Sequence, residues 1–292
     1  MKPINVRQFF SQFPNDEACL AHLFEVRFGQ GHECPKCKRS AKWYRLASEQ
    51  AFSCQWCGHH IHPMVGSVFE KSSTPLQLWF YAIFLFTQTR HGVSAKELQR
   101  QLGVTYKTAW RMGSMIRKHM AGVDGEHPLG GNGEAVEVDE TYVGGERPGK
   151  RGRGAAGKTI VLGMLERNGD LIAKVVPDGS TKSLAHTVAR NVKAGTELVA
   201  DMHKGYDALE HKFDLKRVNK DQDGYVGPDG EHVNSIENFW RHLKCSIKGT
   251  HVSVSGKHLE RYVKEFEFRF NRRMRPETML AELLTRFPEL DA

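Results

Sequence analysis

The chain has 292 residues, of which 39% are hydrophobic and 26% charged, with a formal net charge of +8. That length has room for about two domains, each with its own core, and the basic balance favours a polyanionic partner. The longest apolar stretch, LQLWFYAIFLF (76–86), is interrupted by Gln77 and too short to span a bilayer, and the N-terminus lacks the apolar core of a secretory signal, so a cytoplasmic protein with no membrane partner is expected.

Residues 13–28 carry Leu20, Leu23, Phe24 and Phe28 at helical spacing, with Asn15 or Asp16 as a cap. Then come two C-x2-C pairs, Cys34 and Cys37, then Cys54 and Cys57, sixteen residues apart. Each pair can set two thiolates on one side of a tight turn, and two such turns complete a tetrahedral structural zinc site. A reducing cytosol argues against disulfides instead. His32, His59, His60 and His62 are then surface histidines, because four thiolates fill the site. Cys19 and Cys245 read as small, partly buried residues. KWYRL and AFSC are expected as short strands of the ribbon.

STPLQLWFYAIFLFTQTRHG reads as a buried helix, with Ser73 or Thr74 as cap, Pro75 at its first position and Gly92 at its end. Residues 94–120 follow as two helices around Gly103, a helix-turn-helix pattern. In that reading Thr105, Tyr106, Lys107 and Arg111 face outward at the start of the second helix, which also bears Trp110, Met115 and Ile116. An ordinary packed helix pair is the alternative. AGVDGEHPLGGNGE (121–134) is a linker. Beyond it, EAVEVDETYVGG reads as a strand, and TIVLGMLERNGDLIAKVVPD as a hairpin turning at NGD. SLAHTVARNVKAG is an amphipathic helix, TELVADMHKGY a strand entering a loop, and NSIENFWRHLKCSIKG and HLERYVKEFEFRFNRR are helices. Leu259, Tyr262, Val263, Phe266 and Phe270 form a core stripe on the last. The expected division is 1–70 for the first helix and ribbon, 71–125 for the helix-turn-helix, and 134–292 for a catalytic domain.

GRGAAGKT (152–159) fits the phosphate-loop pattern letter for letter. Such a loop needs a strand leading directly in and a helix leaving, so that the helix N-terminus meets the phosphates. Here eight residues precede the match and a strand follows it, so no nucleoside triphosphate is expected. The segment 147–158 holds five basic side chains and no acidic one. Lys150, Arg151, Arg153 and Lys158 are therefore candidates for contact with a nucleic-acid backbone, against the plainer reading of a solvated loop.

Three carboxylates stand in unusual places. Asp139 lies within an apolar strand, Asp201 where another gives way to a polar loop, and Glu237 on a helix. An unpaired carboxylate in a buried strand is expensive, and a pair of divalent cations would be a fitting partner. On the helix, Asn234, Glu237, Arg241 and Lys244 recur at steps of three and four and share one face, which could equally be a solvated face with ordinary ion pairs.

The order Asp139, Asp201, Glu237 and then a lysine seven residues on resembles the DDE transposases, which have a ribonuclease H-like fold. VEVDETYVGG, GKRGRGAAGKT, HVNSIENFW and HLERYVKEFEFRFNRR look more closely like insertion-sequence transposases with an N-terminal zinc ribbon. The resemblance implies an α/β catalytic domain with a mixed sheet flanked by helices. It also implies Mg²⁺- or Mn²⁺-dependent cleavage at element ends, then attack of the freed 3′-hydroxyl on target DNA. Asp139, Asp201 and Glu237 would be metal ligands and Lys244 a phosphate contact. Some relatives carry Asn at the third position, and Asn234 stands one turn before Glu237, so either is the third ligand. Glu137 and Glu140 are weaker candidates. Thr105, Lys107, Arg111, Arg241 and Lys248 join the basic loop as expected contacts to double-stranded DNA, and a homodimer on DNA is expected. A ribonuclease H-like nuclease without strand transfer, or a DNA-binding regulator derived from a transposase, are the competing functions.

Overall fold

Asn5 and Asn15 each accept a backbone N–H from three residues on and so start the first two helices, α1 (Val6–Gln12) and α2 (Asp16–Arg27). The first was not expected from the sequence; its only buried residue is Phe9. The computed structural model describes residues 4–144, 158–219, 222, 226–227 and 230–288. It divides into two units, Met1–Val123 with Arg275–Ala292, and Asp124–Met274.

In the first unit a three-stranded antiparallel sheet follows, β1 (Trp43–Arg45), β2 (Phe52–Cys54) and β3 (His60–Ile61). Then come helices α3 (Leu76–Gln88), α4 (Ala95–Leu102) and α5 (Tyr106–Asp124). Neither Ser73 nor Thr74 caps α3. Pro75 itself is the cap residue, without a side-chain bond, and the helix stops at Thr89, before Gly92. Gln77 ties this helix back to the first region, its backbone N–H donating to Asp16 Oδ1 and its amide to the Phe13 carbonyl. Phe9, Leu20, Leu23, Phe69, Trp79, Phe80 and Ile83 are buried. The expected boundary at residue 70 therefore falls inside one unit. Gly103 ends α4 with φ 65°, a left-handed cap, and Thr105 Oγ1 accepts the Thr108 N–H at the start of α5.

In the second unit the strands are β4 (Val136–Val143), β5 (Thr159–Glu166), β6 (Leu171–Val176), β7 (Glu197–Asp201) and β8 (Asp214–Val218). The helices are α6 (Thr181–Asn191), α7 (Asn234–Ser246) and α8 (Gly256–Asn271). The sheet order is β6-β5-β4-β7-β8. β4, β5 and β6 form an antiparallel meander, whereas β7 and β8 run parallel to β4. That order and polarity are ribonuclease H-like, as expected. The β5–β6 turn at NGD places Asn168 at φ 59°, a conformation asparagine tolerates. β8 was not anticipated; its DLKRV pattern is mostly half-buried and polar.

Alternation along the strands sorts the two faces. Val136, Val138, Leu198 and Ala200 pack with Leu184 and Val188 of α6 and with Tyr206. Ala135, Val143, Val199 and Val218 pack with Ile236, Phe239, Trp240 and Leu243 of α7 and Val263 and Phe266 of α8. The outer edge of β6 is closed by side chains of α8. Asn271, Glu267 and Glu260 accept the backbone N–H groups of Leu171, Ala173 and Val175 at 2.8, 2.8 and 2.7 Å. An edge strand so covered cannot recruit another strand.

The chain then rejoins the first unit. Helix α9 (Met279–Thr285) buries Met279, Leu280, Leu283 and Leu284. The imidazole Nε2 atoms of His22 and His119 donate to the Leu284 and Leu283 carbonyls at 2.9 and 2.8 Å. The expectation of a catalytic domain running to 292 is corrected accordingly: its apolar stripe buries α9 with the N-terminal unit.

Candidate metal centre and active-site face

The four ribbon cysteines converge. Sγ of Cys34 lies 3.6 Å from Sγ of Cys57, and Sγ of Cys37 lies 3.9 Å from that of Cys54, with all four sulfurs within 4.8 Å of one another. A tetrahedron with Zn–S bonds of about 2.3 Å has edges of about 3.8 Å, so the set fits a zinc ion and is too open for disulfides. Of the other cysteines, Cys19 is buried while Cys245 is exposed, contrary to the expectation of partial burial. His60 pairs instead with Glu49, 3.0 Å away.

The carboxylate face is built on the sheet. The β4–β7 register ends at Val138↔Ala200, so Asp139 and Asp201 stand one step further on, at adjacent positions of neighbouring parallel strands. They share the face covered by α7, because Val199 and Ala135 belong to it. Both are half-buried. Asp139 Oδ2 accepts the indole N–H of Trp240 at 3.0 Å, and Asp201 Oδ1 accepts the His203 backbone N–H at 2.9 Å. Asp201's backbone carbonyl is held by Arg217, 3.0 Å away.

What brings α7 here is Glu137, which the sequence offered only as a weak ligand candidate. It is fully buried, and its Oε2 accepts the backbone N–H groups of Ser235 and Ile236, both at 3.0 Å. A carboxylate at those first-turn amides satisfies orphan donors and complements the helix dipole. His232 Nδ1 and Arg167 Nε lie 3.1 and 3.6 Å from its other oxygen. The signal was present: Glu137 is two residues before Asp139, hence on the same face, and a buried charge requires such partners. Glu140 points the other way and receives the Tyr206 hydroxyl at 2.6 Å; burial and the neighbouring Glu140, Asp139 and Asp201 raise the Tyr206 pKa well above normal. Glu140 is thus tied into the opposite layer.

Trp240 is the second residue that sequence reading missed. Its ring lies over Gly163, which pairs with Asp139 across the strands. A Cβ on Gly163 would come within 2.6 Å of that ring and 2.8 Å of Ile236 Cδ1. Glycine there is what admits the indole to Asp139. On the helix Glu237 stands one turn before Trp240 and Lys244 one turn after, both on the same flank. Partial burial, with Lys158 close by, lowers the Lys244 pKa, while Asp139 opposes the shift. Lys244 thus lies within electrostatic reach of both Asp139 and Lys158. Asn234 opens α7 and is half-buried like Glu237. Among the described residues, only the four cysteines form a group of three or more metal-type donors that close; Asp139, Asp201 and Glu237 are not drawn together to that distance.

The DNA-contact candidates are dispersed. Thr105, Tyr106, Lys107, Trp110 and Arg111 are exposed along the start of α5, whereas Ile116 is buried. Arg241 is exposed and donates to Asn238, and Lys248 is exposed beyond the end of α7. Lys150, Arg151 and Arg153 lie outside the described residues. Lys158 precedes β5, whose first residue, Thr159, is also the last of the phosphate-loop match. A strand, not a helix, leaves that match, as its sequence context required.

A ribonuclease H-like sheet with paired aspartates at adjacent positions, in a chain that also carries a four-thiolate ribbon, is the architecture of a transposase. Sequence comparison agrees: the ISXO2-like transposase domain matches residues 128–271 and the transposase zinc-ribbon domain residues 14–60. The chain belongs to this family of insertion-sequence transposases. It is similar to a protein of the transposable element ISH50 of Halobacterium salinarum, 28% identical over 88% of this chain and 91% of that protein. A transposase-like protein of Haemophilus influenzae is 30% identical over 33% of this chain and 77% of that protein. Among solved structures, a pre-cleavage Mos1 transpososome shows remote likeness, at 11% identity and TM-score 0.29 over 71% of this chain and 79% of that one. No helix among the described residues is long and apolar enough to cross a membrane.

Proposed function

We propose that the chain binds double-stranded DNA at the ends of its insertion sequence, cleaves a strand there and joins the freed end to target DNA. The observation that carries this reading is the adjacent placement of Asp139 and Asp201 on one sheet face, beneath the helix that bears Glu237 and Lys244. Oxygen donors of this kind suit Mg²⁺ or Mn²⁺, with Glu237 or Asn234 as the third ligand. Bound there, such ions would supply activation of a nucleophilic water and stabilisation of the leaving oxygen. The chain's own residues do the rest. Trp240 fixes the orientation of Asp139, Glu137 holds α7 in register with β4, and Lys244 and Lys158 would neutralise the phosphate brought to the site. The ribbon holds one structural zinc. The exposed start of α5, with Thr105, Lys107 and Arg111, would read the element ends in the major groove, and Lys150, Arg151, Arg153, Arg241 and Lys248 would follow the backbone. Action as a homodimer in the cytoplasm completes the reading.

The deciding experiment incubates the full chain with DNA flanking its own gene, with and without Mg²⁺. Cleavage and joined products that require the ion are expected. Binding without any cutting would leave a DNA-binding regulator, and cutting without joining a plain nuclease.

A further inference from the structure

The segment after α7 combines features that the carboxylate face does not use. The helix continues into a single π turn, Ile247–His251, a form that is rare and concentrated at functional sites. Val252 follows with φ 64° and ψ −56°, a backbone state that a β-branched residue adopts only where its surroundings enforce it. The residue is 81% exposed. Beside it opens a pocket of about 380 Å³, whose walls include Val143, Gly144, Lys244, Ile247, Lys248 and Val254. Two ammonium groups thus border a largely apolar concavity.

Helix α7 runs along β4 in the same direction, since Glu137 meets its first turn, Asp139 meets Trp240, and Val143 and Ile247 line one pocket at its end. Lys244 consequently belongs to both places, one turn beyond Trp240 and on the pocket wall. Four residue steps along the strand lead from Asp139 to Val143, roughly 13 Å, a reach of a few nucleotides from a phosphate held at Asp139.

We propose that this pocket receives one unpaired nucleotide close to the scissile phosphate, with Lys244 and Lys248 on its phosphate and Val252 as the apolar wedge. The inference rests on the DNA-cleaving role given above. Apolar side chains inserted at a base step separate the stack, and taking a base out of a duplex is least costly where it is already unpaired. A strained, exposed valine at the pocket rim suits that task, and the mixed apolar and cationic lining suits a base with its phosphate.

The test uses two duplexes of one sequence, taken from DNA flanking the encoding gene, one fully paired and one with a single unpaired 2-aminopurine. Without divalent cation neither is cut. The wild-type chain should bind the second about tenfold more tightly, with bright emission from a base held off the stack. Val252→Gly relaxes the backbone and keeps the fold, yet should abolish the preference while leaving affinity for the paired duplex unchanged. Lys248→Ala should weaken binding of the unpaired duplex in particular. Equal wild-type affinity for the two duplexes, or an undiminished preference in Val252→Gly, overturns the pocket assignment. Failure to bind either duplex overturns the DNA-processing reading instead.

Discussion

Replacing Gly163 by alanine tests how the carboxylate face is assembled. On backbone grounds alone the change should help, because alanine loses less entropy than glycine in a strand, by roughly 0.5–1 kcal/mol. Packing opposes this. The new methyl would meet the Trp240 ring at 2.6 and 2.7 Å and Ile236 at 2.8 Å, closer than any relaxed carbon contact. Overpacking of this kind costs about 1–3 kcal/mol. If the indole yields, its 3.0 Å bond to Asp139 is also lost, and a hydrogen bond to a charged group is worth about 1.5–3 kcal/mol. The expected net loss is about 2–5 kcal/mol, read as a lowered urea midpoint, together with a fall in DNA cleavage. Trp240→Phe removes the indole clash and the bond, leaving only the Ile236 contact, so it should cost much less in the Gly163→Ala background than in the wild type. Two substitutions that simply add, or a Gly163→Ala loss below about 0.5 kcal/mol, would refute the argument that glycine admits Trp240 to Asp139.

Asp139→Asn and Asp201→Asn should retain DNA binding in gel-shift assays yet abolish cleavage, with Glu237→Gln doing the same and Asn234→Ala costing less; the reverse order for the last two would make Asn234 the third ligand. Metal analysis of the full chain should give about one zinc, and Cys37→Ser should lose both the zinc and the ribbon fold; a variant that kept them would remove the zinc assignment. Lys107→Ala with Arg111→Ala should weaken binding to element ends more than to unrelated DNA, and unchanged selectivity would make α4 and α5 a purely structural pair. Burial pushes Glu267 up to about 7, against the pull of Lys264 and the Ala173 N–H. The folded state then holds a proton that the unfolded chain releases near 4.5, so this group's contribution to stability is full below that pH and is lost as pH rises to about 7, by up to about 3 kcal/mol. Burial raises Asp124 and Glu260 in the same sense, so the measurement is the difference in slope between wild type and Glu267→Gln, whose midpoint should fall less steeply; equal slopes would exclude Glu267 as the source.

Local chemistry made much of this protein legible in advance. The four-cysteine cluster of the zinc-ribbon domain follows from two C-x2-C turns because the geometry of each pair is set within four residues. Asn15, Gly103 and the NGD turn announced themselves through caps and positive φ, which depend on a few neighbouring atoms. Apolar alternation gave β4, β5, β6 and β7, and so the strands that carry Asp139 and Asp201. It did not give β8, whose half-buried residues carry no clear period, nor α1, which buries only Phe9.

Tertiary structure alone decided the rest. The sequence singled out Asp139 and left Glu137 and Glu140 as weaker candidates beside it; only the packing of α7 made Glu137 a helix anchor and set Asp139 against Trp240, with Glu140 bonded to Tyr206 on the opposite layer. Nothing local in the sequence marks Gly163; only the fold brings Trp240 into the space its missing side chain leaves. Helix α9 follows the transposase domain in sequence, yet its apolar stripe and the His22 and His119 bonds bury it in the N-terminal unit. Each outcome depends on residues tens to hundreds of positions apart. Sequence periodicity specifies which face of an element is apolar, whereas the partner that covers that face exists only once the chain has folded.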